Sequence, residues 1–389
     1  MVQTLSEPGI EVGDLDALLA ELLDPDTAAA ASARLAADDG AAARRVLALV
    51  VASDARSAAH LAGARCLGAA LLACPEPQHA ALAAALARAG ALTRWVYADL
   101  QRADAAAAGA ALDFLALVCS GAAPLPADVA AQLGRALVRL LVDIAVDTEA
   151  LTVPGDDSAF PPLCRSAVLA LCAVFHQIAL TEPSHPSFDD EVSKAGKTEG
   201  AGDAGGAGSA GGTEEAVEVM GANEAGDAGE TEETEETQQL LFERLRMHRA
   251  LSAVVLHPRT ADGTLGQVLA RFALRSLGDL CARMFCVYCR ALADVCACAA
   301  VAYSVFYPQD LAVLVALLAR ALEDLDHGSP DPRRCAVLAV LARVFRDRVA
   351  RADMDAEAAR LRDTLAWLAA EYADPDVVSA ARELLPILG

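Results

Sequence analysis

The sequence predicts an all-α protein, an armadillo/HEAT-like α-solenoid carrying one long disordered acidic insertion. Three observations lead there. The 389 residues are 55% hydrophobic but only 4% aromatic. Alanine supplies much of that apolar content and is the best helix former, whereas strands favour aromatic and β-branched residues. Apolar positions recur at helical spacing in about fifteen segments, each roughly 12–20 residues long. Short breaks carrying Pro, Gly or Asp separate them, which is ordinary helix punctuation. Consecutive helices without strand-like stretches suit stacked repeats of about 40–47 residues.

The first group of repeats occupies 1–185. Its helices are expected at 14–23, 26–38, 41–53, 55–73, 77–89, 104–120, 126–146 and 162–180. CPEP (74–77), APLP (123–126) and VPGDD (153–157) fall in the breaks. Residues 186–239, which include AGDAGGAGSAGGTEEAVEVMGANEAGDAGETEETEET, have few apolar anchors and much Gly, Glu and Thr. Such a segment buries too little to offset its ordering entropy, so it is expected to be disordered. The second group occupies 240–389. Helices are expected at 238–255, 264–276, 278–302, 308–326, 332–350, 354–372 and 375–387, with GSPDP (328–332) among the breaks.

Helix 308–326 is apolar almost all round. Leu311, Val313, Leu314, Val315, Leu317 and Leu318 cover its faces, which predicts a helix sandwiched between neighbouring repeats. Pro308 opens it, and Asp310 in its first turn faces the positive end of the helix dipole.

Charge narrows the function classes. Residues 1–185 hold 11 Arg against 21 acids, net −10; 186–239 hold 2 Lys against 15 acids, net −13; 240–389 hold 18 Arg and 18 acids, net 0. An acidic chain without a basic domain is a poor nucleic-acid binder, because neutralising phosphates supplies most of that affinity. Anionic membranes are disfavoured likewise. Apolar stretches such as 295–307 fall short of the roughly 20 residues that span a bilayer, so no membrane insertion is expected. The N-terminus MVQTLSEPGIEVGDLD lacks the basic and apolar regions of a leader. With eleven cysteines and no leader, a cytoplasmic protein with reduced thiols is expected.

Catalytic patterns are wanting. Cys281, Cys286 and Cys289 read C-x4-C-x2-C, a ferredoxin-like spacing, with Cys296 and Cys298 nearby. The surrounding MFCVYCRALADVCACAAVAY nevertheless has helical periodicity, which makes these cysteines small buried hydrophobes. Histidines 60, 79, 176, 185, 248, 257 and 327 are scattered without ligand spacing, and His176 in ALCAVFHQIAL reads as a core or groove histidine. No GxSxG, P-loop or dinucleotide fingerprint occurs. Neither enzymatic activity nor a cofactor is expected.

Binding remains. The helical body contains no Asn, since Asn223 lies in the insertion. The asparagine ladder by which cargo-importing armadillo proteins hold extended peptides is therefore missing. A folded partner, or a helix lying in a groove, fits better. Arginines gather at 244, 246 and 249 and at 333, 334, 343, 346, 348 and 351. They form either solvated faces paired with Asp331, Asp347 and Asp353 or a contact for an acidic partner.

FYPQDLAVLVALLARALEDL (306–325) resembles the signature of the WISH/DIP family, leucine-rich-domain proteins that activate the Arp2/3 complex. Phe306, Tyr307, Asp310, Leu311, Val313, Leu314, Val315, Arg320, Leu322, Asp324 and Leu325 fit its register. LLFERLRMHR (240–249), TLGQVLARFALR (264–275) and PRRCAVLAVLARVF (332–345) resemble its flanking elements. Pro308–Gln309 replaces the signature's Thr–Asn, and the Asn of the family's LLNR element falls at Ala273 or Leu274. The resemblance implies a monomeric armadillo-type domain that binds the Arp2/3 complex and a filament end. It would nucleate linear actin filaments without a preformed filament, seeding branched networks at cortical endocytic patches. Partner contacts are expected among Phe306, Tyr307, Asp310, Arg320, Arg343 and Arg346. The acidic insertion lacks the tryptophan of acidic nucleation-promoting tails and reads as a flexible spacer.

Overall fold

A computed structural model of the chain describes residues 12–102, 104–150, 160–181, 249–296, 299–325, 331–346 and 354–388. The insertion expected at 186–239 lies outside them, as do Arg244, Arg246, Cys298, Arg348 and Arg351. Every regular element among the described residues is helical. In chain order these are α1 (Val12–Leu23), α2 (Ala28–Ala52), α3 (Ala58–Ala73), α4 (Glu76–Arg88), a π-helical turn (Ala91–Val96), α5 (Tyr97–Leu100), α6 (Ala105–Cys119), α7 (Ala127–Ala130), α8 (Arg135–Ala150) and α9 (Pro162–Thr181). Then follow α10 (Arg249–Val255), α11 (Pro258–Ala261), α12 (Thr264–Ser276), a 3-10 turn (Leu277–Asp279), α13 (Ala282–Val295), α14 (Ala299–Val305), α15 (Pro308–Asp324), α16 (Pro332–Arg346), α17 (Asp355–Glu371) and α18 (Pro375–Leu388).

The helices stack in two rows. α3, α6, α9, α13, α16 and α18 form one row, each packed on the next; α8, α12, α15 and α17 form the other. Pairs α8–α9, α15–α16 and α17–α18 join the rows. α12, α15 and α17 start at Thr264, Pro308 and Asp355, 44 and 47 residues apart. That matches the period of armadillo and HEAT repeats and makes the molecule an α-solenoid. α9 packs directly on α13, so one continuous core runs through both halves.

Several expected elements change form. Predicted helices 26–38 and 41–53 are one element, α2, with left-handed backbone at Asp38 (φ 51°) and Gly40 (φ 72°) where the predicted break lies. Predicted helix 126–146 splits into α7 and α8. Predicted helix 278–302 is also broken: Cys281 is an extended N-cap with ψ 154°, and Cys296 leaves helical geometry with ψ 5°. The π-helical turn and α5 were not foreseen; Gly90, at φ 89°, admits the chain to that turn.

The sandwiched helix is not the expected one. On α15, Leu311, Leu314, Val315, Leu318 and Leu322 are buried, but Gln309, Val313, Arg320 and Asp324 line a solvent face. Val313 is 47% exposed. Spacings of four, seven and four residues put these four on one side of a 3.6-residue helix. α15 is therefore amphipathic, as a helix with neighbours on one flank must be. The helix buried all round is α9, unbroken from Ser166 to Ile178. It is long and apolar enough to cross a membrane, unlike the stretches singled out from the sequence, yet here it is packed between α6, α8, α10 and α13.

Burying α9 requires its polar groups to find partners, because an unbonded polar group inside costs free energy. Ser166 Oγ donates to Asp113 Oδ1 at 2.6 Å. Gln177 Nε2 donates to the Gly121 carbonyl at 2.9 Å, and its Oε1 accepts from Leu125 N at 3.0 Å. His176 Nε2 lies 3.1 Å from the same carbonyl. Burial, aided by Arg290, pushes the His176 pKa down to about 4; burial and Arg283 also lower that of His79. Both rings are thus kept neutral. Their stabilisation is present above the ordinary value of 6.5 and is lost as pH falls towards the folded value. For His176 the full depression corresponds to roughly 3 kcal/mol. Thermal unfolding should show a stability loss between pH 6.5 and about 4 that shrinks in His176→Gln; an unchanged acid limb would contradict this.

A seam of polar contacts joins the halves on the second row. α8 presents Asp143 to His257 Nε2 (3.3 Å), Asp147 to Arg259 Nη2 (2.9 Å) and Glu149 to Arg271. The Asp147–Arg259 pair is exposed on both sides and contributes below about 1 kcal/mol, so the apolar core holds the halves together.

Candidate partner-binding surface

The resemblance residues centre on the start of α15. There the backbone passes very close to α12. A Cβ on Gly266 would sit 2.2 Å from the Val305 carbonyl oxygen and 2.9 Å from Phe306 Cα. Gly263, left-handed at φ 69°, has the Tyr307 ring directly against it. The glycines of DGTLG (262–266) therefore form the cradle that receives Val305, Phe306 and Tyr307.

Phe306 is 1% exposed and belongs to the core. A partner cannot reach it in this structure, so its part is to hold the helix start. Tyr307 is 41% exposed, and its hydroxyl donates to the Asp262 carbonyl at 3.1 Å. Asp310 is half-buried. Its Oδ2 has no hydrogen-bond partner among the described residues, and burial raises its carboxyl pKa while Arg271 opposes that rise. Arg320 is in solvent, 3.7 Å from Asp324 one turn on. Arg343 is half-buried and Arg346 exposed, both at the C-terminal end of α16.

These six residues do not form one patch. α15 and α16 are consecutive packed helices, so their directions reverse. Arg343 and Arg346 fall at the same end as Tyr307 and Asp310, and Arg320 falls towards the other. The accessible members are Tyr307, Arg320 and Arg346. Two other arginines of the cluster are structural: Arg333 is clamped on Asp331 at 2.6 Å, and Arg334 is fully buried. The cysteines are thiols in packed surroundings. Cys286 and Cys289 are buried on α13, Cys296 is buried at its end, and burial pushes the Cys296 pKa up to about 12. Among the described cysteines, Cys281 is the exposed one.

Sequence reasoning placed His176 in the core or a groove, and it is buried, but missed other buried polar groups. Arg334 lies in a run of arginines and carries no local mark of burial. The buried His60–Asp99 pair was missed as well; its one visible signal is Trp95 and Asp99 at helical i,i+4 spacing.

The fold and this surface define a helical-repeat protein of armadillo/HEAT architecture with an amphipathic outer helix. No family model matches the chain, and no curated protein matches it. Among solved structures, the chain is similar to the crystal structure of an engineered protein, 15% identical over 96% of each chain, with a TM-score of 0.38. A likeness that distant carries no argument about fold or function.

Proposed function

We propose that the chain is a non-enzymatic binding protein that engages a folded partner through the outer side of α15. On the resemblance of 306–325 and its flanks, that partner is the Arp2/3 complex, which the chain activates without a preformed filament. One observation carries the reading. The apolar residues of the signature other than Val313 are buried, whereas Tyr307, Arg320 and Arg346 face solvent. Activation then requires tighter binding to the active conformation of the complex than to the inactive one.

The test is actin assembly with purified Arp2/3 complex, this protein and neither preformed filaments nor another activator, imaged filament by filament. Unbranched filaments in proportion to the protein support the reading. Arg320→Glu reverses a rim charge and should slow nucleation roughly tenfold while leaving the fold intact. A folded protein that accelerates nothing would leave a solenoid scaffold with a different partner.

A further inference from the structure

The corner between α2, α3 and α5 buries a charged constellation that the binding surface does not use. His60, Trp95 and Asp99 are each 1% exposed. His60 Nδ1 lies 2.9 Å from the Val50 carbonyl oxygen, and His60 Nε2 lies 2.8 Å from Asp99 Oδ2. Trp95 Nε1 donates to the same Oδ2 at 2.8 Å, and Arg102 Nη1 donates to Oδ1 at 2.7 Å. A carbonyl oxygen can only accept, so Nδ1 must carry a hydrogen. A carboxylate that already accepts from Trp95 and Arg102 accepts here too, so Nε2 carries the second. A ring protonated on both nitrogens is an imidazolium. Val50 is in the last turn of α2, where carbonyls lack helical partners, and a cation there also meets the negative end of the dipole.

We propose that His60 is a proton-operated latch: as imidazolium it ties the C-terminus of α2 to Asp99, and loss of one proton frees the corner formed by the π-helical turn and α5. Beside this corner is a cavity of about 270 Å³ lined by Asp54, Ala55, Arg56, Arg102 and Asp104. Half-exposed Arg102 stands between that cavity and Asp99, which gives water its route. Hydroxide takes the Nδ1 proton and becomes water. Nε2 keeps its hydrogen for the carboxylate, and the bared Nδ1 lone pair then faces the Val50 carbonyl. A hydrogen bond becomes a repulsion.

The surrounding charges set the direction. The Asp99 hydrogen bond raises the pKa of His60 most, burial lowers it, the Val50 hydrogen bond and the Asp99 charge raise it, and Arg102 lowers it. α1 brings Asp16, which acts on Cys66, while Glu76 and Arg283 sit at the far end of α3. The start of α3, where His60 lies, opposes the charge with its own dipole. The net pKa is raised above 6.5. A raised histidine stabilises in full below the unfolded value and stops doing so as pH rises through the folded one, so the latch opens on the alkaline side. The neutral histidines His79 and His176 respond in the opposite direction, and burial pushes the Cys66 pKa up to about 11.

The chain has two tryptophans, so Trp367→Phe leaves Trp95 as the reporter inside the corner. In that variant Trp95 fluorescence is followed from about pH 6 to pH 10, with His60 read in parallel by ring-nitrogen NMR. Both ring nitrogens should be protonated at pH 6, and both signals should change at one midpoint above 6.5. His60→Gln should abolish the fluorescence transition. Arg102→Gln should move the midpoint upward, because Arg102 opposes the proton. A neutral ring at pH 6, a transition that persists in His60→Gln, or a midpoint that stays or falls in Arg102→Gln overturns the latch.

Discussion

Arg334→Ala is expected to destabilise the protein by about 4 kcal/mol. The guanidinium is wholly buried. Its Nη1 donates to Tyr372 Oη at 2.5 Å and its Nη2 to the Leu325 carbonyl at 2.7 Å. Its carbon centre lies 4.6 Å from the Tyr372 ring centroid. Leu325 caps the C-terminus of α15 and Tyr372 that of α17, so one side chain from α16 joins the ends of two helices. Removal leaves a cavity, strips a buried carbonyl of its donor (about 1–3 kcal/mol) and ends a desolvated cation–π contact (about 2 kcal/mol). Arg334→Met restores most of the volume and isolates the polar part, so it should recover about half the loss. Arg334→Lys should recover little, because a point charge cannot fork to two acceptors. Urea unfolding of the three variants checks this. Equal stability of Arg334→Ala and the parent would show that the guanidinium's desolvation cancels its contacts.

Gly266→Ala is the second large effect, and two opposed terms decide it. In a helix interior, alanine is better than glycine by about 1 kcal/mol. Here the new methyl would stand 2.2 Å from the Val305 carbonyl oxygen. That oxygen belongs to backbone held by buried Phe306, so no rotamer change can clear it. Overpacking of this kind costs about 1–3 kcal/mol and more when backbone must move, so the clash wins. Gly266→Ala should lower the unfolding midpoint and expose the Phe306–Tyr307 segment. If the Arg320 side of α15 makes the partner contact, nucleation should fall along with stability. A neutral or stabilising Gly266→Ala would mean that α12 and α15 can part by an ångström or more at no cost.

The elements were legible to different degrees. Helices 264–276 and 162–180 were read almost to their ends, because Gly263 and Pro162 punctuate them and their patterns are long. The break of 278–302 was not, because CVYCRALADVCACAAVAY keeps a helical apolar register through the residues where the chain turns. Of the six proposed contact residues, the sequence could not separate Phe306 from Tyr307. Adjacent aromatics at a helix start differ in burial only through the glycine cradle of a helix some forty residues earlier.

The sequence by itself determined that the chain is helical, how long most helices are, and where the composition departs from a folding pattern. Those are properties of local propensity, periodicity and punctuation, each readable within a window of a few turns. Only the tertiary structure decided that α9 rather than α15 is buried on all sides, that Arg334 is inside while Arg320 is outside, and that His60 meets Asp99 and Val50. Which faces are covered depends on which helices become neighbours across the stack, and those partners are tens of residues apart in the chain.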